Sequence, residues 1–329
     1  AVTYSGTGST QAISGLKFQP DFVWIKRRNG NNAHALFDSI RGVTKALESS
    51  NDGAEKTDDP PITSFDTNGF TVNGTYNQTN NSAGTYVAWA WKAGGTASSN
   101  TDGSQTSSVS ANTTYGFSVV TGTQNANNTT NTYGHGLGAE PKLIVLKRTD
   151  GAEDWYVYHK ELGNTSRIQL NSTAAVTTGS GVWGSTTPTS SVFTIQSFNA
   201  GDFVAYCWSE VSGFSKFGSY SGSSSAQTIT TGFKPAFLLI KSHDTVSNWH
   251  LLDSERGSAW LEANGSGTET SNSNISITYL DDGFTVNGSN VNDSEADYIY
   301  MAFADTPDSS GVDSLIDTPT NYESENGNA

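Results

Sequence analysis

An aspartate, a serine and an arginine stand together twice in this chain, as Asp38-Ser39-Ile40-Arg41-Gly42 and as Asp253-Ser254-Glu255-Arg256-Gly257. An Asp–Arg pair at this spacing has two uses. It can hold a carboxylate or sugar ligand between a guanidinium fork and a carboxylate. It can also close a turn, with the aspartate bonding local backbone and the arginine bracing the loop. The turn is the expected role of Asp38, Ser39, Arg41, Asp253, Ser254 and Arg256. Four tryptophans offer a different chemistry, because a sugar ring stacks on an aromatic face. Trp155, Trp183, Trp249 and Trp260 lie outside the strongest strand phrases and are the candidate ligand contacts.

The remaining reactive residue types form no catalytic constellation. Cys207 is the only cysteine and occupies the place that alanine takes in two related phrases, so it reads as a small core residue. His34, His135, His159, His243 and His250 share no zinc-like spacing. Asp58-Asp59 and Asp281-Asp282 could ligate Ca²⁺, but they lack alternating EF-hand ligands and read as solvated loop carboxylates. No nucleophile elbow, phosphate loop or dinucleotide fingerprint is present. The expectation is therefore no catalysis, no metal and no cofactor, loop-bound Ca²⁺ being the one ion with candidate ligands. The net charge is −15, and its acidity rises along the chain. Residues 214–306 carry eleven acidic and four basic side chains, whereas residues 1–95 carry eight of each. Such a field argues against nucleic acid. No run approaches the roughly 20 apolar residues of a membrane span.

The elements that must position these residues are written three times. A proline opens an apolar phrase that ends in lysine at Pro20 to Lys26, Pro141 to Lys147 and Pro235 to Lys241. About 60 residues later a second phrase closes the unit: Tyr86 to Trp91, Phe203 to Trp208 and Tyr298 to Phe303. Proline at the start of a strand forfeits only a terminal hydrogen bond. The closing phrase alternates, with Val87, Trp89 and Trp91 on one face and Tyr86, Ala88 and Ala90 on the other. Scarce helix formers, with abundant Thr, Ser, Asn and Gly, complete an all-β reading. The expected architecture is a tandem array of three related β-sandwich domains of jelly-roll or lectin-like kind.

The boundaries follow from the repeats. Residues 1–96 form the first unit, 97–112 a Ser/Thr/Asn-rich linker, 113–213 the second unit and 214–306 the third. Residues 307–329 read as an acidic tail or a linker to a further domain. The polar linker should allow play between the first two units. The short joint near residue 214 should fix the angle between the last two.

Several of these stretches carry a resemblance: Phe22 to Arg28, Leu36 to Gly42, Tyr86 to Lys92, His135 to Leu137, Trp155 to Lys160, Leu170 to Ala174, Gly213 to Tyr220, Tyr298 to Ala304 and Asp313 to Asn321. Together they resemble a repeated β domain of unknown function found in tail-fibre-like and other virion proteins of marine bacteriophages, including those of cyanobacteria. In such proteins a phrase like Asp313 to Asn321 often leads into another lectin-like domain. The resemblance implies a virion structural protein, a tail-fibre or surface-fibre segment at the virion surface that works outside the cell. The implied partners are further copies of itself, a trimer being favoured, and other virion proteins. A carbohydrate-binding adhesin that reads a host-surface glycan is the alternative, and a non-viral extracellular filament subunit a further one. A polysaccharide depolymerase is the least supported reading, since no carboxylate pair stands out.

Overall fold

The proline-led and closing phrases become neighbouring strands of three main sheets. The computed structural model describes residues 1–57, 61–74, 76–179 and 181–305, and every helix-or-strand element among them is a strand. In the first lobe the strand order is Val2–Ser5, Thr85–Trp91, Phe22–Arg27, Ala35–Asp38. The third repeats it as Ser215–Ser221, Asp297–Ala304, Pro235–Ser242, His250–Asp253. The second embeds the same order, Phe117–Gln124, Gly201–Ser209, Pro141–Arg148, Tyr156–His159, in an eight-stranded sheet. All these pairings are antiparallel. Pro141 and Pro235 each open a strand beside a register shift, where a missing N–H costs no ladder bond.

Each main sheet is covered on one face by a smaller sheet of its own lobe. Gln11–Ser14, Gly69–Val72 and Ile62–Asp66 cover the first, and Gln227–Thr230, Gly283–Asn287 and Ser276–Leu280 cover the third. The strands Asn131–Gly134 and Val192–Ile195 form the two-stranded counterpart in the second. The faces of the closing strands that carry Ala88, Ala205 and Ala302 point into these sandwiches. Tyr86 and Ala88, Ala205 and Cys207, and Tyr300 and Ala302 each join the private core of their lobe.

The bulky faces point elsewhere. Trp89 and Trp91, Tyr206 and Trp208, and Met301 and Phe303 all belong to one core cluster to which the three lobes contribute. The proline-led strands divide in the same way: Phe22, Leu143 and Phe237 enter the shared core, while Val23, Ile144 and Leu238 enter the private ones. The three lobes are therefore not independent beads along a chain. Phe22 stacks on Tyr206 at 4.2 Å between centroids, and Trp91 meets Phe237 edge-on at 5.3 Å. Each such ring stabilises the body by about 2–3 kcal/mol through burial alone.

The segment expected to be a loose linker is ordered sheet instead. Ser98–Asn100 and Ser107–Asn112 are the two outermost strands on one side of the second lobe's main sheet. Ser107, Val109 and Ser110 are buried there, and Val109 packs in the second lobe's private core. The two strands are built from serine, asparagine, one alanine and one valine, so their polar composition hid them. At the short link between the second and third lobes, Val211 accepts from the Ser215 amide at 2.8 Å and donates to the Ser215 hydroxyl at 2.9 Å. The expected tail 307–329 and the Asp58-Asp59 pair lie outside the described residues.

Two equivalent hairpins need glycine. Gly69 and Gly283 have φ of 156° and 158°. A Cβ at Gly283 would lie 2.1 Å from the Ile229 carbonyl oxygen, a position that backbone alone controls. Gly283→Ala should therefore destabilise the protein by well over about 1 kcal/mol. A denaturant midpoint equal to that of the parent chain would show that the hairpin tolerates the methyl group.

Candidate functional site

The polar residues that repeat in the sequence converge on the joints between lobes. Asp38 is fully buried in the first turn. Its carboxylate accepts from the Arg41 amide at 2.8 Å and from Arg41 Nε at 2.6 Å. The same Oδ2 accepts from the Tyr206 hydroxyl of the second lobe at 2.9 Å. Asp253 repeats the turn, with Arg256 amide and Nε at 3.0 and 2.7 Å. There the partner is Trp89 Nε1 of the first lobe at 2.9 Å, and the Arg256 guanidinium lies 5.3 Å above the Trp89 ring. In the second lobe His159 stands at the aspartate's place, and its Nε2 donates to the Tyr300 carbonyl of the third at 3.2 Å. First meets second, second meets third, and third meets first.

A second set of contacts runs around the same ring. Trp155 donates its indole N–H to the Glu48 carbonyl at 3.0 Å, and Trp249 donates to the Gln169 carbonyl at 2.9 Å. His34 holds the equivalent place in the first lobe. Its Nδ1 accepts from Trp24 at 2.7 Å, which fixes the hydrogen on Nε2, and Nε2 donates to the Glu262 carbonyl at 3.0 Å. Three fully buried lysines, the last letters of the proline-led phrases, add a third set. Lys26 reaches the Ser266 carbonyl, Lys147 that of Asp52 and Lys241 that of Thr173, at 3.3, 3.1 and 3.5 Å. Burial lowers each ammonium to about 8. Backbone bonds complete each joint: Glu55 to Thr149, Val176 to His243 and Glu269 to Arg28, at 2.7–2.8 Å.

The shared core is open at one end. A cavity of about 350 Å³ has Trp89, Trp91, Phe117, Phe237 and Phe303 for its floor. Phe18, Tyr115 and Phe214, all half-buried, form walls. Lys17, Lys92, Glu255 and Asp305 stand at its edge, and among the described residues none of the four makes an ion pair. An aromatic floor under a charged rim is the anatomy of a binding pocket. Among the described residues no group of three or more His, Cys, Asp and Glu is placed to hold a metal ion, and no helix is long and apolar enough to cross a membrane.

One family model matches residues 1–307 in a single span, across all three lobes and the core they share. The chain belongs to the DUF7483 family. That family is described as a domain of unknown function. No curated protein and no solved structure matches the chain. The DUF7483 chain thus has to be read from its own geometry.

That geometry corrects the choice of aromatic residues. Trp155, Trp183, Trp249 and Trp260 are 0–3% exposed and present no face to a sugar. Trp155 and Trp249 lock joints, while Trp183 and Trp260 fill private cores. The cavity aromatics went unread because they come from distant stretches, and only folding brings Phe18, Tyr115 and Phe214 together. In both Asp-Ser-x-Arg turns the aspartate accepts from the arginine amide and from its guanidinium. Ser39 anchors its turn by donating to Asp21 at 2.8 Å, and the Ser254 amide donates to the Ala236 carbonyl at 3.0 Å. What the residues alone did not show is that both turns also reach into the neighbouring lobe. The repetition of lysine at the end of an apolar phrase was the available signal for the buried lysines.

Two outcomes are expected of DUF7483 variants and conditions. Asp253→Ala leaves the buried Arg256 charge without its nearest partner and the Trp89 N–H without an acceptor. It should cost about 3–5 kcal/mol in chemical denaturation, with Asp253→Asn milder because an amide oxygen still accepts. A loss below about 1 kcal/mol would mean the pair contributes little. The second outcome concerns pH. Burial lowers His159 and His250 to about 4, and His34 well below its ordinary range. An unfolded histidine titrates near 6.5, so between there and 4 the unfolded chain binds protons that the folded one refuses. Stability should be complete above about pH 6.5 and fall toward pH 4, by about 3 kcal/mol each for His159 and His250. Denaturant midpoints across that window test it, and the fall should be shallower in His159→Gln.

Proposed function

We propose that this chain is a bacteriophage virion structural protein, a segment of a tail-fibre or surface-fibre that contributes to assembly and host attachment. The observation that carries the reading is where the repeated residues go. The phrases that resemble virion proteins, from Phe22 to Arg28, Leu36 to Gly42 and Tyr86 to Lys92, line the shared core and the joints. Their chemistry is spent on holding three lobes as one body, and no reactive cluster is built from them. A polar exterior supports the same reading, since Val246 is the one strongly exposed large hydrophobic residue among those described. The protein works at the virion surface, outside the cell, as a homo-oligomer with a trimer favoured, beside other virion proteins. It has no enzymatic activity and needs no cofactor.

A second reading has its own observation. The cavity walls offer Tyr115 and Phe214 beside carboxylates that make no ion pair among the described residues, a combination that suits a host-surface glycan. Light scattering after size exclusion, joined to antibody labelling of particles, separates the readings. An assembly of three or more chains and label on tails or capsids are expected. A monomer that labels no particle but binds a glycan array would replace the fibre reading with the adhesin.

A further inference from the structure

The three joints differ in what seals them. In the first turn Ile40 packs against the shared core, and in the second Leu162 does so. The third turn has Glu255 and Arg256 at the corresponding positions. Arg256 is committed to Asp253, Glu269 and the Leu251 carbonyl. Glu255 is exposed and lines the cavity. Two joints therefore carry an aliphatic plug from their own turn, and the third carries an opening of about 350 Å³ over five aromatic side chains.

A second observation marks the rim of this opening. Lys17 has φ of 65°, a left-handed backbone that an L side chain adopts at a cost. The second lobe uses Gly138, φ 68°, at the matching place in its Gly-Leu phrase. The first lobe instead keeps a long cationic side chain there, with its amide donating to Asn68 Oδ1 at 2.6 Å. Strain retained at a cavity edge, where glycine would be free of it, points to use of the side chain.

We infer that this cavity is a receptor site for a leucine- or isoleucine-type side chain presented by a partner polypeptide. The missing plug defines the apolar part of the ligand. The rim defines the rest, because it offers both signs of charge. The ammonium groups of Lys17 and Lys92 donate to a peptide carbonyl, and the carboxylates of Glu255 and Asp305 accept from a peptide N–H. A polypeptide carries both groups beside every side chain. The inference does not depend on the particle assignment.

The test uses the full chain and two probes, N-acetyl-leucinamide and N-acetyl-alaninamide, followed by amide chemical shifts. The leucine probe should move the signals of residues around Trp89, Trp91 and Phe237 and bind about tenfold or more tighter than the alanine probe. Glu255→Ile supplies in place the plug that Ile40 provides in the first turn, and should abolish leucine-probe binding while raising the thermal midpoint. Lys17→Gly relieves the backbone strain, keeps the fold and should weaken the probe several-fold. Equal response to both probes, shifts confined to other surfaces, or undiminished binding in both variants would overturn the proposal.

Discussion

Every main sheet in this protein is apolar on both faces, and no lobe has enough of its own structure to cover both. That constraint organises the rest. One face of each closing strand mixes alanine or cysteine with tyrosine or phenylalanine, and a second sheet of the same lobe packs on it to form a sandwich. The other carries Trp89 and Trp91, Tyr206 and Trp208, or Met301 and Phe303. Left in water, that face would be an apolar patch far larger than a soluble surface sustains. Three such faces turned toward one another remove the problem together. The lobes resemble repeats, yet their stability is joint, in the way that repeat units bury a core only through their neighbours.

Apolar burial is non-directional, so the shared core alone does not fix how the lobes meet. The polar contacts supply that direction, and they tolerate changes of chemistry that conserve geometry. A neutral histidine donates from Nε2 at His34 where tryptophan donates at Trp155 and Trp249. In the second turn the exchange is coupled. His159 stands in for a buried aspartate, so no buried cation is required to balance a carboxylate. Leu162 then occupies the place of Arg41 and Arg256 and adds to the apolar core instead. Each joint remains satisfied because donor and acceptor were replaced as a set.

Much of this was legible in the residues. The proline-led phrase and the alternating closing phrase gave the central strands, and the two-faced character of Phe22 to Ile25 was visible as unbroken hydrophobicity. A second apolar face reads equally well as the inside of a sandwich and as a contact with another lobe, because periodicity reports burial and not the identity of the cover. The same limit misplaced Trp155 and Trp249. They stand just before short strands, outside any alternating run, and an aromatic residue there looks like a loop residue. Alignment of His34, Trp155 and Trp249 four residues before Asp38, His159 and Asp253 would have marked them as one structural position. The strand Ser107–Asn112 was missed for the opposite reason: it packs with serine and one valine.

The third joint differs from the others in a way that follows from connectivity. Strands and a short link run from the first lobe to the second and from the second to the third, but only side chains and loops close the third onto the first. That joint has the strongest ion pairing in the ring. Arg28 grips Glu269 through two bonds of 2.9 and 2.8 Å, and Arg256 reaches the same carboxylate at 2.9 Å. Burial works to raise the Glu269 pKa, but Arg28 and Arg256 outweigh it and hold it below the ordinary carboxylate value. Closure is intramolecular, so a modest set of bonds suffices at the high effective concentration that the other two joints impose. It also leaves the third joint the one place where an aliphatic plug can be dispensed with, because charge and the Trp89 contact already hold it. The opening over the aromatic floor lies where the ring was closed by electrostatics rather than by filling its core.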